Sequence, residues 1–193
     1  ILDRMDTFAD KVLDLFEAIH PLDRVARAGY VLRGVAEPEN VAAHSHSVSL
    51  MTLLFVDEYP DHFDRDKALT MALIHDLSEA RLMDIPMPAA DAHLKQAKND
   101  AEQGIIEELF AEFDHRYAHY HQELLDAATP EARLIRGLDK AQMMVKIWMY
   151  QREQRGRLHE FWLNPKNFND FGVEPVNRLF DAICERAGIS RPR

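Results

Sequence analysis

Apolar residues recur at three- and four-residue intervals through most of this chain of 193 residues, and only seven glycines interrupt them. Such a stripe can be buried only along one side of an α-helix, so the chain reads as all-α, helices packed on one another. Phe8, Val12, Leu15, Phe16 and Ile19 make the first stripe, which stops at His20-Pro21 because proline disfavours helical geometry in the residue before it. Glycine and proline signals mark a loop over about 29–39. A long helix is expected over about 41–59, with Val48, Met51, Thr52 and Phe55 inward, ending before Pro60. Asp64 is placed to cap the next helix, whose Ala68, Leu69, Ala72, Leu73 and Leu77 make it the most apolar so far and therefore central. The stretch 83–87 has no helical period and precedes Pro88, so the chain turns as it leaves that helix. Helices over about 91–113 and 131–155 follow, with a short histidine-rich segment between them. A loop-like stretch over 156–173 and a last amphipathic helix over 174–187 complete the pattern. No repeat or composition break divides the chain, so one domain over 1–193 is expected.

The charge balance excludes some roles. Asp and Glu number 33 against 23 Lys and Arg, a net charge of −10 that opposes attachment to a nucleic acid polymer through a basic surface. Cys184 is the only cysteine, so no intramolecular disulfide or cysteine-based metal framework is available, and a reducing, cytoplasmic setting is expected. Asp3, Asp6 and Asp10 stand where a signal peptide would be basic, and no run of about 18 apolar residues occurs, so neither a leader nor a membrane span is expected.

His75 and Asp76 are the first residues that the helical pattern does not explain. They interrupt the run Met71-Ala72-Leu73-Ile74-His75-Asp76-Leu77, where a packed helix places apolar side chains. Burying an imidazole and a carboxylate is costly unless each is paired or bound to a metal. Two readings are open: a core histidine with Asp76 paired to an arginine, or a pair of metal ligands. His44, early in the preceding helix, and Asp139, which interrupts the apolar face of a later one, extend the second reading. Three packed helices can bring such groups to one point.

The order His44, then His75-Asp76, then Asp139 resembles the HD superfamily of metal-dependent phosphohydrolases. Four blocks narrow the likeness: Arg27-Ala28-Gly29-Tyr30, Glu39-Asn40-Val41-Ala42-Ala43-His44-Ser45, Ala72-Leu73-Ile74-His75-Asp76-Leu77-Ser78-Glu79-Ala80 and Asp84-Ile85-Pro86. Together they resemble the bacterial 5'-deoxynucleotidase branch and its eukaryotic HD-domain relatives. The likeness covers about residues 8–150, and the segment over about 156–193 is left as a C-terminal helical extension. It implies a compact HD-domain helical bundle, a homodimer, that removes the 5'-phosphate of deoxynucleoside monophosphates by attack of metal-activated water. The implied metal ligands are His44, His75, Asp76 and Asp139. Two imidazoles and two carboxylates suit one divalent transition metal, manganese, cobalt, iron, nickel or zinc, better than calcium or magnesium. On an octahedral metal they leave positions for a water and a phosphate oxygen.

The resemblance also implies roles around the metal. Glu79, three residues after Asp76 and four after His75, shares their side of the helix if the helix continues, and would polarise the water or act through it as general acid. A solvated glutamate at a helix end is its plain alternative. Arg27 suits a phosphate through its five donors, against a surface salt bridge. Asp84 matches a residue that touches the deoxyribose, against an ordinary turn aspartate, and Met83 before it stands where glycine is usual. Tyr30 stands near the aromatic position beside the nucleobase, where the bacterial branch has tryptophan, and Arg33 is a second phosphate contact or a solvated charge.

Other histidines compete for the metal. His44 and His46 point about 200° apart on a helix and do not bind one metal together. His115, His119 and His121, with Tyr117 and Tyr120, read as a solvated junction between helices. The methionine-rich stretch around Met143, Met144 and Met149 reads as core or dimer contact. Competing functions are an HD phosphohydrolase for another phosphate ester or a nucleoside triphosphate, and a non-catalytic metal- or nucleotide-binding regulator.

Overall fold

The computed structural model describes residues 7–87 and 93–192, so Pro88 and the expected helix start at Asp91 lie outside the described residues. Ten α-helices are described: α1 Phe8–Ile19, α2 Ala28–Val31, α3 Val41–Glu58, α4 Arg65–Ile74, α5 Glu79–Leu82, α6 Lys95–Leu109, α7 Arg116–Asp126, α8 Pro130–Arg152, α9 His159–Leu163 and α10 Glu174–Ala187. Short 3-10 turns occupy His20–Asp23 and Pro165–Phe168. Among the described residues there is no β-strand, only an isolated bridge between Ala26 and Asn40, so the all-α expectation holds. None of the described helices is long and apolar enough to cross a membrane.

Local chemistry sets most of the helix starts. Thr7 and Asp10 form a reciprocal capping box on α1, and Asn40, Asp64 and Thr129 each accept from a backbone N–H of the first turn of α3, α4 and α8. Pro130 sits at the first position of α8, where its missing N–H costs nothing. This helix, rather than α4, is the spine. It packs against α3, α4, α7 and α10 through Leu134, Ile135, Leu138, Ala141, Met144 and Ile147. Gly137 lets α10 come close, since a Cβ there would lie 3.0 Å from Val176 Cγ1.

Three expectations are corrected here. The stripe of α1 is real as a period, but no residue of the helix is buried, and Phe8 and Phe16 are 74% and 63% exposed. Periodicity shows that a face is apolar and says nothing of what covers it. In α4, Ala68, Met71, Ala72 and Ile74 are the buried residues, whereas Leu73 is exposed. The stretch over 156–173 is not a plain loop, because it contains α9 and the Pro165–Phe168 turn. Trp162 and Phe168 anchor it in the core, and the Trp162 indole donates to Gln151 Oε1 at 2.8 Å.

Candidate metal centre and active site

Three helices deliver the candidate ligands. His44 lies in the second turn of α3 and is fully buried, His75 caps the C-terminus of α4 with Asp76 directly after it, and Asp139 comes from the middle of α8. Ligand atoms of His44, His75 and Asp76 lie within 4.8 Å of one another. Asp139 joins them through Oδ1, 3.0 Å from His44 Nε2. The structure thus brings together all four residues implied by the resemblance.

Hydrogen bonds behind the ligands set which imidazole nitrogen is bare. His75 Nδ1 donates to the Ala72 carbonyl at 2.7 Å. His44 Nδ1 donates to Gln142 Oε1 at 2.6 Å, and the Gln142 amide group in turn donates to Glu39 at 3.1 Å. That second bond fixes the amide orientation, because a carboxylate accepts only from the nitrogen end. Both Nε2 atoms are therefore lone pairs, buried and without a hydrogen-bond partner. They face carboxylate oxygens at 3.0 to 3.5 Å, an arrangement that repels unless a cation lies between. The donor set and its bare nitrogens fit a divalent transition metal.

Charge around the centre is balanced by Arg27. Its guanidinium donates to Asp76 Oδ2 at 3.4 Å and lies 3.6 Å from Asp139 Oδ1 and 4.0 Å from Asp84 Oδ1. Burial works against its charge, but Asp76, Asp84, Asp139 and Glu79 outweigh that and hold it cationic. Burial likewise works to raise the Asp76 and Asp139 carboxyls. Arg27 opposes that for both, and each is held below the usual carboxylate range, Asp139 with further help from Lys140. Arg27 is thus a buried partner of the ligands and not a surface salt bridge.

Glu79 is the opposite case. Helix α4 does not continue to it: 75–78 form a turn, and the four-residue α5 begins at Glu79. The side chain still enters the same cavity, 4% exposed, with Oε2 unpartnered. Burial first, then Asp76 and Asp84, push its carboxyl well above the usual range, against Arg27 and Lys98. The solvated reading of Glu79 is excluded by that burial.

Asp84 Oδ2 accepts from the Ala28 backbone N–H at 2.6 Å, tying the exit of α5 to the start of α2 and so aiming Arg27. Met83 before it takes φ 63°, a conformation that favours glycine and costs another residue about 1–3 kcal/mol. Tyr30 is 2% exposed, its hydroxyl donates to the Met143 carbonyl, and its ring stands edge-on to Tyr150. Arg33 pairs with Glu160 and lies over the Phe161 ring, 5.6 Å from its centroid, so it is not a free solvated charge. A cavity of about 600 Å³ joins Arg27, Asp76, Glu79, Asp84 and Asp139 to Tyr30, Arg33, Glu160 and Phe161.

Sequence reasoning missed several of these groups. Lys98 of α6 enters the cavity as a cation, held so by Glu102, Glu79 and Asp76 against its burial. Gln142 is a polar residue in the apolar stretch Ala141-Gln142-Met143-Met144-Val145, a signal that was there to read, whereas Glu39 lies among Glu37, Pro38 and Asn40 and gives none. His121 is the clearest correction, since it is not solvated at all. It is buried in α7 with Nδ1 hydrogen-bonded to Gln103 Oε1 at 3.0 Å, while His46 is exposed and plays no part.

His121 gives a test of that burial. Desolvation first, then His75, lowers its pKa from the ordinary 6.5 to about 4, with Asp76 opposing. A base with a depressed folded pKa contributes stability above its unfolded value and loses it as the pH falls through the folded one. We therefore expect roughly 3 kcal/mol to be lost between about pH 7 and pH 4 through this residue alone. Urea unfolding at both pH values should show a shallower loss in His121→Gln. Equal losses in the two proteins would mean that His121 is not buried in the neutral form.

Comparisons with known proteins agree with the fold. A family model described as HD domain matches residues 19–168. A 5'-deoxynucleotidase HDDC2 from Bos taurus is 28% identical over 162 residues, covering 80% of this chain and 76% of that one. The 5'-deoxynucleotidase YBR242W from Saccharomyces cerevisiae is 29% identical over 168 residues, 83% of this chain and 65% of the other. Among solved structures, a conserved hypothetical protein from Pyrococcus furiosus superposes with TM-score 0.76 at 30% identity, covering 91% of this chain and 98% of that one. A predicted metal-dependent phosphohydrolase from Magnetospirillum magnetotacticum shares the fold, with TM-score 0.67 at 18% identity over 95% of this chain and 96% of its own. With the family model spanning most of the sequence and the candidate histidine and aspartate ligands gathered at one point, the chain belongs to the HD domain family.

Proposed function

We propose that this protein is a metal-dependent phosphohydrolase that removes the 5'-phosphate of deoxynucleoside monophosphates. One observation carries the reading: two bare, buried imidazole nitrogens lie against Asp76 and Asp139, and those carboxylates line the same cavity as a buried carboxyl, Glu79, whose Oε2 has no partner. The relatives named 5'-deoxynucleotidase support the substrate class, and a cavity of about 600 Å³ suits a ligand of that size.

His44, His75, Asp76 and Asp139 would hold one divalent cation, manganese, cobalt, iron, nickel or zinc. Such a cation supplies Lewis-acid charge to a phosphate oxygen and lowers the pKa of the attacking water. Arg27 and Lys98 add fixed positive charge where the phosphate enters, and Arg27 is already oriented by Asp76 and Asp139 before substrate arrives. The water oxygen bonds to phosphorus and the bond from phosphorus to the 5'-oxygen breaks; Glu79 gives its proton to the departing oxygen and is reprotonated by the proton that the attacking water sheds. Deoxynucleoside and inorganic phosphate leave, with no phosphorylated side chain. Asp84 holds the Arg27 segment in place and lies on the wall where the deoxyribose passes.

A second copy of the chain has an apolar face available. Leu50 and Leu54, one turn apart on α3, are both more than half exposed, as is Leu73 on the neighbouring α4. Stripped protein re-supplied separately with manganese, cobalt, iron(II) and zinc should release phosphate from dAMP, dGMP, dCMP and TMP, less from AMP, and none from dATP. The same preparation should have the mass of two chains in light scattering. Release of pyrophosphate or triphosphate would identify a different HD reaction, and no release from any substrate with any metal would leave a non-catalytic binder.

A further inference from the structure

The resemblance puts Tyr30 near the aromatic position beside the nucleobase, but Tyr30 reaches the cavity with only 2% of its surface exposed. Its ring is packed into the core, edge-on to Tyr150 at 5.3 Å, with the hydroxyl tied to Met143. A different aromatic residue lies beside it. Phe161, on α9, is 6.1 Å from Tyr30 between ring centroids and is only partly buried where it lines the cavity. Its backbone is fixed, since its carbonyl accepts from Asn167 Nδ2 at 2.9 Å and Asn167 is itself buried.

Position along the cavity follows from three consecutive residues. Arg27 reaches Asp76 and Asp139 at the metal centre, the Ala28 N–H is held by Asp84, and a Cβ built on Gly29 would lie 3.6 Å from Phe161 Cζ. Neighbouring Cα atoms are about 3.8 Å apart, so the ligand-bearing wall, Asp84 and the Phe161 ring follow one another over the length of one nucleotide. That sequence of contacts has the order phosphate, sugar, base. Arg33 lies over Phe161 and pairs with Glu160, so a charged donor and a charged acceptor flank the ring.

We propose that Phe161, in the segment C-terminal to the family blocks, is the platform on which the base of a deoxynucleoside monophosphate stacks, on the side of the ring that Arg33 does not cover. The proposal rests on the nucleotidase reading above. Stacking on an aromatic face tolerates any base, so broad base acceptance goes with it.

The test is a ratio of affinities. Binding of dAMP and of 2-deoxyribose 5-phosphate, which lacks a base, is measured by calorimetry on metal-loaded protein carrying Glu79→Gln, so that neither ligand turns over. The same is done with Phe161→Ala or Phe161→Tyr added. The preference for dAMP over the base-free ester should fall about tenfold in Phe161→Ala and return in Phe161→Tyr. A general loosening of the pocket weakens both ligands alike and leaves the ratio unchanged. That result overturns the role of Phe161 while dAMP binding upholds the nucleotide reading. Failure of the Glu79→Gln protein to bind either ligand overturns both.

Discussion

Glu79→Gln should keep its metal and lose about 10²–10⁴-fold in kcat, the usual worth of a positioned general acid or base. Glutamine preserves the shape of the side chain, so the cavity and the four ligands are undisturbed, but it has no proton to give the leaving oxygen. The variant separates chemistry from folding through a second readout. A carboxyl whose folded pKa is raised contributes stability that is complete below its unfolded pKa and is lost as the pH rises through the folded one. Burial beside Asp76 and Asp84 puts Glu79 in that class. Glutamine removes the proton linkage, so its melting temperature relative to the parent should climb as the pH is raised from about 5 to 8. A variant with parental kcat would take Glu79 out of the mechanism, and a flat difference in melting temperature would contradict its buried, protonated state.

The sequence was a good guide where the signal is local and a poor one where it is tertiary. The cap at Asp64 and the proline after His20 place helix ends because the interactions span three or four residues. His75 and Asp76 stood out because a charged pair inside an apolar run contradicts its own context. Which face of α1 is covered, by contrast, depends on neighbours far along the chain, and Phe8 and Phe16 turn out exposed. His121 shows the same limit. Nothing within four residues announces that α4 and α6 close over it, so a histidine among charged residues reads as solvated. Phe161 belongs to a short helix ended by Asn164 and Pro165, too brief to register as a period, yet it lines the cavity. The candidate metal ligands were legible because they violate packing rules; the candidate substrate wall was not, because it obeys them.

His75→Ala and Asp76→Ala should each abolish retention of the metal through gel filtration, and with it all phosphate release. The contrast that gives this force is with Gln142→Leu, which leaves the four candidate ligands in place and removes the acceptor that keeps His44 Nε2 bare, together with the donor to Glu39. Loss of a partner behind a ligand costs about 10–100-fold in metal affinity, so Gln142→Leu should still bind metal when it is supplied in excess. Removal of His75 is worse for two reasons. It takes away one of two nitrogen donors from a site whose preference for a transition metal depends on nitrogen. It also leaves Asp76 and Asp139 with Arg27 as their nearest fixed cation, so the site relaxes toward an ion pair network with no place for the metal. A melting curve reads this without any substrate. Metal at about 100-fold above its Kd should stabilise the parent by about 2.7 kcal/mol, which for a chain of this length is about 5–10 °C. The shift should be smaller in Gln142→Leu at the same concentration and absent in His75→Ala and Asp76→Ala. A full shift in His75→Ala would place the metal elsewhere on the protein, and the ligand set would have to be redrawn.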